Sequence, residues 1–130
     1  MFAARPPDRV SPANYSALKS SKTIIISTDD YDVFGGGTVV MKLASGHTPG
    51  HQVLFLKLSK TGPVVLSGDL YLYPEERTLK RVPTFETDQQ QTAATREAIE
   101  AFLRQSGAQL WIQPDYVANS KLKKAPQFYE

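Results

Sequence analysis

The hydrophobic pattern of this chain changes its period once, and that change limits the folds open to it. Between residues 22 and 69, apolar residues alternate or cluster in short runs, as they do in strands. Between residues 88 and 106 they recur at helical spacing, as at Ile99, Phe102 and Leu103. The predicted strands are KTIIIS (22–27), TVVMKL (38–43), QVLFLKL (52–58), PVVLSGD (63–69) and QLWIQ (109–113). This order predicts an α/β or α+β layer with the helix on one face of a sheet.

The predicted helix has recognisable ends. Thr87 and Gln90 have the spacing of a capping box at the start, and Gly107 suits the left-handed residue that follows a helix. Three consecutive glycines, Gly35 to Gly37, predict a turn between two strands, since they lack the Lys-Ser/Thr of a phosphate-binding loop.

Length and composition predict one domain spanning residues 1–130, with an irregular N-terminal segment at 1–22. A chain of 130 residues with 41% hydrophobic residues can bury a core of its own. The absence of cysteine excludes disulfides, thiolate metal sites and cysteine nucleophiles. A net charge of +2, without a membrane-length or signal-like apolar run, favours a cytoplasmic protein that binds neither nucleic acid nor membranes.

Both histidines lie in SGHTPGHQ, on either side of a Pro-Gly turn that follows the strand at 38–43. Asp69 lies at the end of another predicted strand, where chemistry often occurs. His47 and Asp69 would supply two ligands to a metal ion, with His51 as a third ligand or as a support for the others. The alternative is structural, with both imidazoles hydrogen-bonded to backbone around the turn.

GHTPGHQ, VVLSGDLY, a helix and LWIQPD occur here in an order that resembles the C-terminal half of a metallo-β-lactamase-fold hydrolase of the acyl-homoserine-lactonase branch. The resemblance covers residues 23–130. It implies half of an αβ/βα sandwich, a mixed sheet with one long helix. It also implies that His47 binds a metal, zinc or another divalent ion, that Asp69 bridges two metals, and that His51 supports them.

The sequence departs from that family in its metal ligands. The HxHxDH motif of the family's N-terminal half is absent, because His47 and His51 are the only histidines. Pro114 stands where the family has another histidine, and Leu72 where related sequences often have one. The resemblance therefore predicts a reduced metal site.

Half of a two-sheet sandwich would leave one sheet face uncovered. Residues predicted on that face are Val39, Met41, Leu54, Leu56 and Val65. Such a patch favours self-association, so we predict a homodimer in which a second copy replaces the missing half.

Two functions remain open on the sequence. One is a metal-dependent hydrolase of a small ester, lactone or phosphoester, with Tyr71 or Tyr73 polarising the substrate beside Asp69. The other is a non-catalytic, truncated remnant of such a hydrolase. A Ser-His-Asp triad using Ser45 or Ser67 has little support, since no G-x-S-x-G elbow is present.

Overall fold

The computed structural model describes residues 11–130. A five-stranded sheet has the order β1-β2-β3-β4-β5. Each of the strands β1 to β4 is antiparallel to the next, and β5 is parallel to β4. The elements are β1 (Asp30–Asp32), β2 (Val39–Leu43), β3 (Gln52–Leu58), β4 (Gly62–Leu66), α1 (Pro74–Thr78), α2 (Gln89–Ser106), β5 (Gln109–Trp111) and α3 (Tyr116–Ser120). Short 3-10 turns lie at Pro12–Asn14, Ser16–Leu18 and Gly68–Leu70. The predicted α/β class and mixed sheet are confirmed.

The prediction of a strand at residues 22–27 is wrong. Ile24 is 59% exposed and Ile25 is 89% exposed, and strand pairing begins only at Asp30. Asp30 lies opposite Lys42, one residue before β2 ends, so the preceding segment extends past the end of its only neighbouring strand. Strand propensity has no effect without a partner to pair with and a surface to pack on. The irregular segment predicted at residues 1–22 lies partly outside the described residues, which begin at residue 11.

The start of α2 differs from the predicted capping box. Asp88 is the N-cap, and its side chain accepts a hydrogen bond from the Gln91 N–H. The hydroxyl of Thr87 instead donates to the carbonyl of His47, 2.8 Å away. Gly107 ends the helix with φ of 67°, as predicted.

The face of the sheet under α2 forms the core. Val53, Phe55 and Val65 are buried there against Ile99 and Leu103. The prediction that Val65 lies on the open face is wrong, because Val65 pairs with Phe55 and therefore points to the same side. A continuous apolar run leaves the orientation of each residue undetermined, and the register decides it.

The opposite face, here called the second face, carries half-buried apolar side chains. Its members are Val39, Met41, Leu54, Leu56, Leu66 and Trp111, together with Val64, which is fully buried. The C-terminal segment packs at its edge, where the rings of Trp111 and Tyr129 lie 4.8 Å apart. In the described part of the chain, no helix is long and apolar enough to cross a membrane.

Candidate functional site

Three strands end at the same edge of the sheet and bring the predicted site residues together. Because β2 and β4 are both antiparallel to β3, and β5 is parallel to β4, all three point the same way. The loop after β2 carries His47 and the turn after β4 carries Asp69. Gln113, just beyond β5, accepts a hydrogen bond from the Gly68 N–H at 2.8 Å. The topology thus places the two candidate ligands side by side.

The backbone around His47 is fixed to the start of α2. The Asp88 N–H donates to the Gly46 carbonyl at 3.0 Å, and Thr87 donates to the His47 carbonyl. Gly46 lies so close to the helix that an added Cβ would be 2.5 Å from the Thr92 Cα. This contact, rather than a turn alone, explains the glycine before His47.

The His47 ring lies between two carboxylates. Its Nδ1 is 3.3 Å from Glu86 Oε1, and its Nε2 is 3.8 Å from Asp69 Oδ2. The Glu86 side chain is 1% exposed, whereas that of Asp69 is 54% exposed. The other Glu86 oxygen accepts a hydrogen bond from the Thr92 hydroxyl at 3.1 Å. The ring of Phe85 packs edge-on against His47, with centroids 6.4 Å apart.

Sequence reasoning did not find Glu86. It is one acid among several polar residues before α2, and nothing in its spacing from His47 reveals the contact. The only available signal was its position just before a helix N-terminus, where acids are common for other reasons.

His51 has hydrogen-bond partners at both ring nitrogens. The Asp69 N–H donates to Nε2 at 2.9 Å, so the ring proton must lie on Nδ1, which donates to the Ala44 carbonyl at 2.9 Å. Gly68 allows this approach, because a Cβ there would be 2.7 Å from Nε2. Of the two roles predicted for His51, these contacts favour support of the Asp69 turn over direct ligation.

The two tyrosines have different surroundings. Tyr71 is 3% exposed, and its hydroxyl donates to Glu100 at 3.2 Å, on α2. Burial, followed by the Glu100 charge, raises the pKa of Tyr71 to about 12. Tyr73 is 63% exposed at the start of α1. Tyr71 is therefore committed to a contact with the helix, and Tyr73 is the freer of the two hydroxyls.

The serines near the site serve the backbone. Ser67 is fully buried, and its hydroxyl donates to the Gly68 carbonyl at 2.9 Å. Ser45 donates to the Pro49 carbonyl at 2.7 Å. Both hydroxyls thus bond to backbone carbonyls rather than to His47.

The donors fit two positions of a metal site and do not complete one. Imidazole and carboxylate both suit zinc, and ligands of one tetrahedral ion lie about 3.4 Å apart, near the separation between His47 and Asp69. Within residues 11–130, however, no group of three or more His, Cys, Asp or Glu side chains could hold a metal ion. The described part of the chain thus offers a pair of ligands where three or four are usual.

Curated proteins of one kind are similar in sequence to most of this chain. An N-acyl homoserine lactonase, AttM of Azorhizobium caulinodans, is 30% identical over 102 residues, which is 78% of this chain and 39% of that protein. AttM of Agrobacterium fabrum is 30% identical over 101 residues, or 78% of this chain and 38% of that protein. The chain is homologous to N-acyl homoserine lactonases over their C-terminal portion. It spans about two fifths of the length of these relatives. No family model matches the chain.

Solved structures support the same relationship. The crystal structure of a quorum-quenching N-acyl homoserine lactone lactonase superposes with a TM-score of 0.69 at 25% identity, over 78% of this chain and 40% of that one. An N-acyl homoserine lactone hydrolase with its product, N-hexanoyl-L-homoserine, at the catalytic metal centre gives a TM-score of 0.68 at 24% identity, over 78% of this chain and 39% of that one. The predicted resemblance is confirmed, and the sheet with its helix is part of a metallo-β-lactamase fold.

Proposed function

We propose that this chain takes part in the metal-dependent hydrolysis of a lactone or related ester, with His47 and Asp69 as two ligands of the metal. The observation that carries the proposal is the 3.8 Å approach of His47 Nε2 to Asp69 Oδ2 at the shared strand edge. Homology to lactonases favours a lactone over the phosphoester that the sequence left open.

The residues of the chain have separate tasks in this proposal. Asp69 and His47 hold a zinc or similar divalent ion, which would supply Lewis acidity toward the substrate carbonyl. His51 fixes the turn that carries Asp69 by accepting its N–H. Tyr73, which is exposed, is the better placed of the two tyrosines to donate a hydrogen bond to a substrate oxygen.

The site is completed in this proposal by a second copy of the chain. The two ligands found within residues 11–130 are too few, and most apolar side chains of the second face are only partly buried. Pairing two second faces would cover them and provide two ligand pairs in one assembly.

A non-catalytic remnant is the second candidate. The same shortage of ligands favours it, since a two-ligand site binds metal weakly unless other groups contribute. In the hydrolase, zinc binding and lactone hydrolysis depend on the same side chains, whereas in the remnant they do not.

We expect protein purified without chelator to bind zinc and to hydrolyse an N-acyl homoserine lactone. His47→Ala and Asp69→Ala should each lower zinc affinity by more than the roughly 10- to 100-fold typical for loss of an outer partner, and should abolish turnover. Zinc binding is measured by competition with a chromogenic chelator, and hydrolysis by a pH indicator. Glu97→Ala, which removes an exposed acid of α2, is the control. Unchanged zinc binding in both variants would support the remnant.

Light scattering at micromolar concentration should give twice the mass of one chain. Leu56→Glu, on the second face, should yield a folded monomer with weakened zinc binding, whereas Leu18→Glu, at an exposed leucine, should change neither property. A monomeric wild-type protein that still binds zinc would exclude the dimer-built site while leaving the ligand pair intact.

A further inference from the structure

Either ring nitrogen of His47 could bind a ligand, but the two nitrogens have different neighbours. Nδ1 faces Glu86, whose carboxylate is buried, and Nε2 faces Asp69, whose carboxylate is largely exposed. An ionised carboxylate only accepts hydrogen bonds, so a neutral ring beside Glu86 gains a bond when its proton lies on Nδ1. Nε2 then keeps its lone pair on the open side of the site.

We propose that Glu86 is the positioning residue of His47, holding the ring proton on Nδ1 so that Nε2, beside Asp69, remains free to bind a ligand. The proposal concerns this chain's own ring and carboxylate. Its relevance to catalysis rests on the proposed function, but the position of the proton does not.

Glu86 is itself held in place, which a positioning group requires. Its second oxygen lies 3.1 Å from the Thr92 hydroxyl, whose one proton is shared with the Asp88 carbonyl 2.9 Å away, and Thr92 is 2% exposed in the first turn of α2. The His47 carbonyl is fixed separately by Thr87, immediately after Glu86. Backbone and ring of His47 are thus anchored by one short segment, so the imidazole has few ways to turn.

If Glu86 served only to bond to Thr92, any polar side chain that reaches Thr92 could replace it. Oε1 lies 3.3 Å from Nδ1 and the Glu86 side chain is 1% exposed, so the ring N–H is the donor within reach of that oxygen. A carboxylate behind a histidine is the arrangement that fixes the tautomer and increases ligand basicity.

Nitrogen NMR of the two histidines tests the proposal directly. In apo protein labelled with ¹⁵N, at about pH 8.5 where free imidazole is neutral, the long-range ¹H–¹⁵N spectrum should show protonated Nδ1 and bare Nε2 on both rings. In Glu86→Leu the His47 signals should shift toward the other tautomer, while those of His51 stay unchanged because Ala44 and Asp69 still hold that ring. The His51 signals also report that the variant is folded.

Glu86→Gln gives a second measurement if the leucine variant does not fold. Its amide oxygen can still accept from Nδ1, so the tautomer should persist while the affinity for Zn²⁺ alone falls about 10- to 100-fold. A proton on His47 Nε2 in the wild type, with or without one on Nδ1, would overturn the proposal. So would a His47 tautomer that does not change in Glu86→Leu. Failure of the wild type to bind zinc would instead refute the proposed function and leave the tautomer result standing.

Discussion

Replacing Arg96 with methionine should lower the free energy of unfolding by about 3–5 kcal/mol, the cost of leaving a buried partner charge uncompensated. The Arg96 side chain is 7% exposed and that of Glu76 10%, and their charged atoms lie 2.6 Å apart. Arg96 also donates to the carbonyls of Leu70 and Arg81 and lies over the ring of Tyr71. Methionine fills much of the volume but removes the donor to both carbonyls, and leaves Glu76 with only the Leu72 N–H, 3.3 Å away.

Urea denaturation measures this loss, and two further variants identify its cause. Arg104→Met, at an exposed arginine of the same helix, should cost less than about 0.5 kcal/mol. The double variant Glu76→Leu and Arg96→Met should be more stable than Arg96→Met alone, because the buried charge is then removed. Equal stability losses for Arg96→Met and Arg104→Met would mean that the ion pair contributes little.

The effect of Arg96 should extend to the candidate site. Its partners Leu70 and Arg81 belong to the connection between β4 and α2, residues 67–88, which carries Asp69 near its start and Glu86 near its end. A helix residue thus fixes the middle of a long connection whose two ends carry functional groups. Long connections without such anchors tend to be mobile.

The sequence pattern predicted correctly those elements that are determined by residues close together in the chain. The apolar run at 52–58 became β3 with the predicted bounds, and α2 begins within one residue of the predicted start. The glycine that ends α2 was also correct, since a left-handed residue is required directly after the helix. In each case the deciding interactions lie within a few residues along the chain.

Predictions that depended on distant partners were wrong or were missed. Ile24 and Ile25 have the composition of a strand, but β2 ends before it can pair with them. The five-residue helix α1 was not predicted, because a single turn beginning at Pro74 has too little periodicity to detect.

Some residues of the candidate site could likewise be predicted from the sequence, and one could not. His47 and Asp69 could be proposed from spacing and a resemblance, and the parallel directions of β2 and β4 bring them together. Glu86 could not, because its contact with His47 spans 39 positions and depends on how α2 docks against the β2 loop. Residues that position a ligand are generally found only after the fold is known.

Replacing Gly46 with alanine should lower the free energy of unfolding by about 3 kcal/mol or more, because it combines an unfavourable backbone conformation with overlap in a packed contact. Gly46 has φ of 137°, and an added Cβ would lie 2.5 Å from both the N and the Cα of Thr92. Those atoms belong to the helix backbone, so no side-chain rotation relieves the overlap. The loop or the helix start must move.

Gly50→Ala is the matched control for this variant. Gly50 lies in the same loop, and among the described residues nothing comes within 4 Å of its added Cβ. We expect its melting temperature to stay close to wild type, while that of Gly46→Ala falls by roughly 10 °C. A Gly46→Ala protein as stable as Gly50→Ala would show that the loop does not press on α2.

Gly46→Ala also tests whether the stability of the protein and the tautomer of His47 depend on the same contact between the loop and α2. If the loop moves away from α2 to relieve the overlap, His47 separates from Glu86, and the tautomer of its ring should change along with the melting temperature. If the helix start moves instead, Glu86 moves with it away from His47, so the tautomer should change in this case as well. Because His51 is held by Ala44 and Asp69 rather than by α2, its signals should stay constant in the second case and should shift with Ala44 in the first.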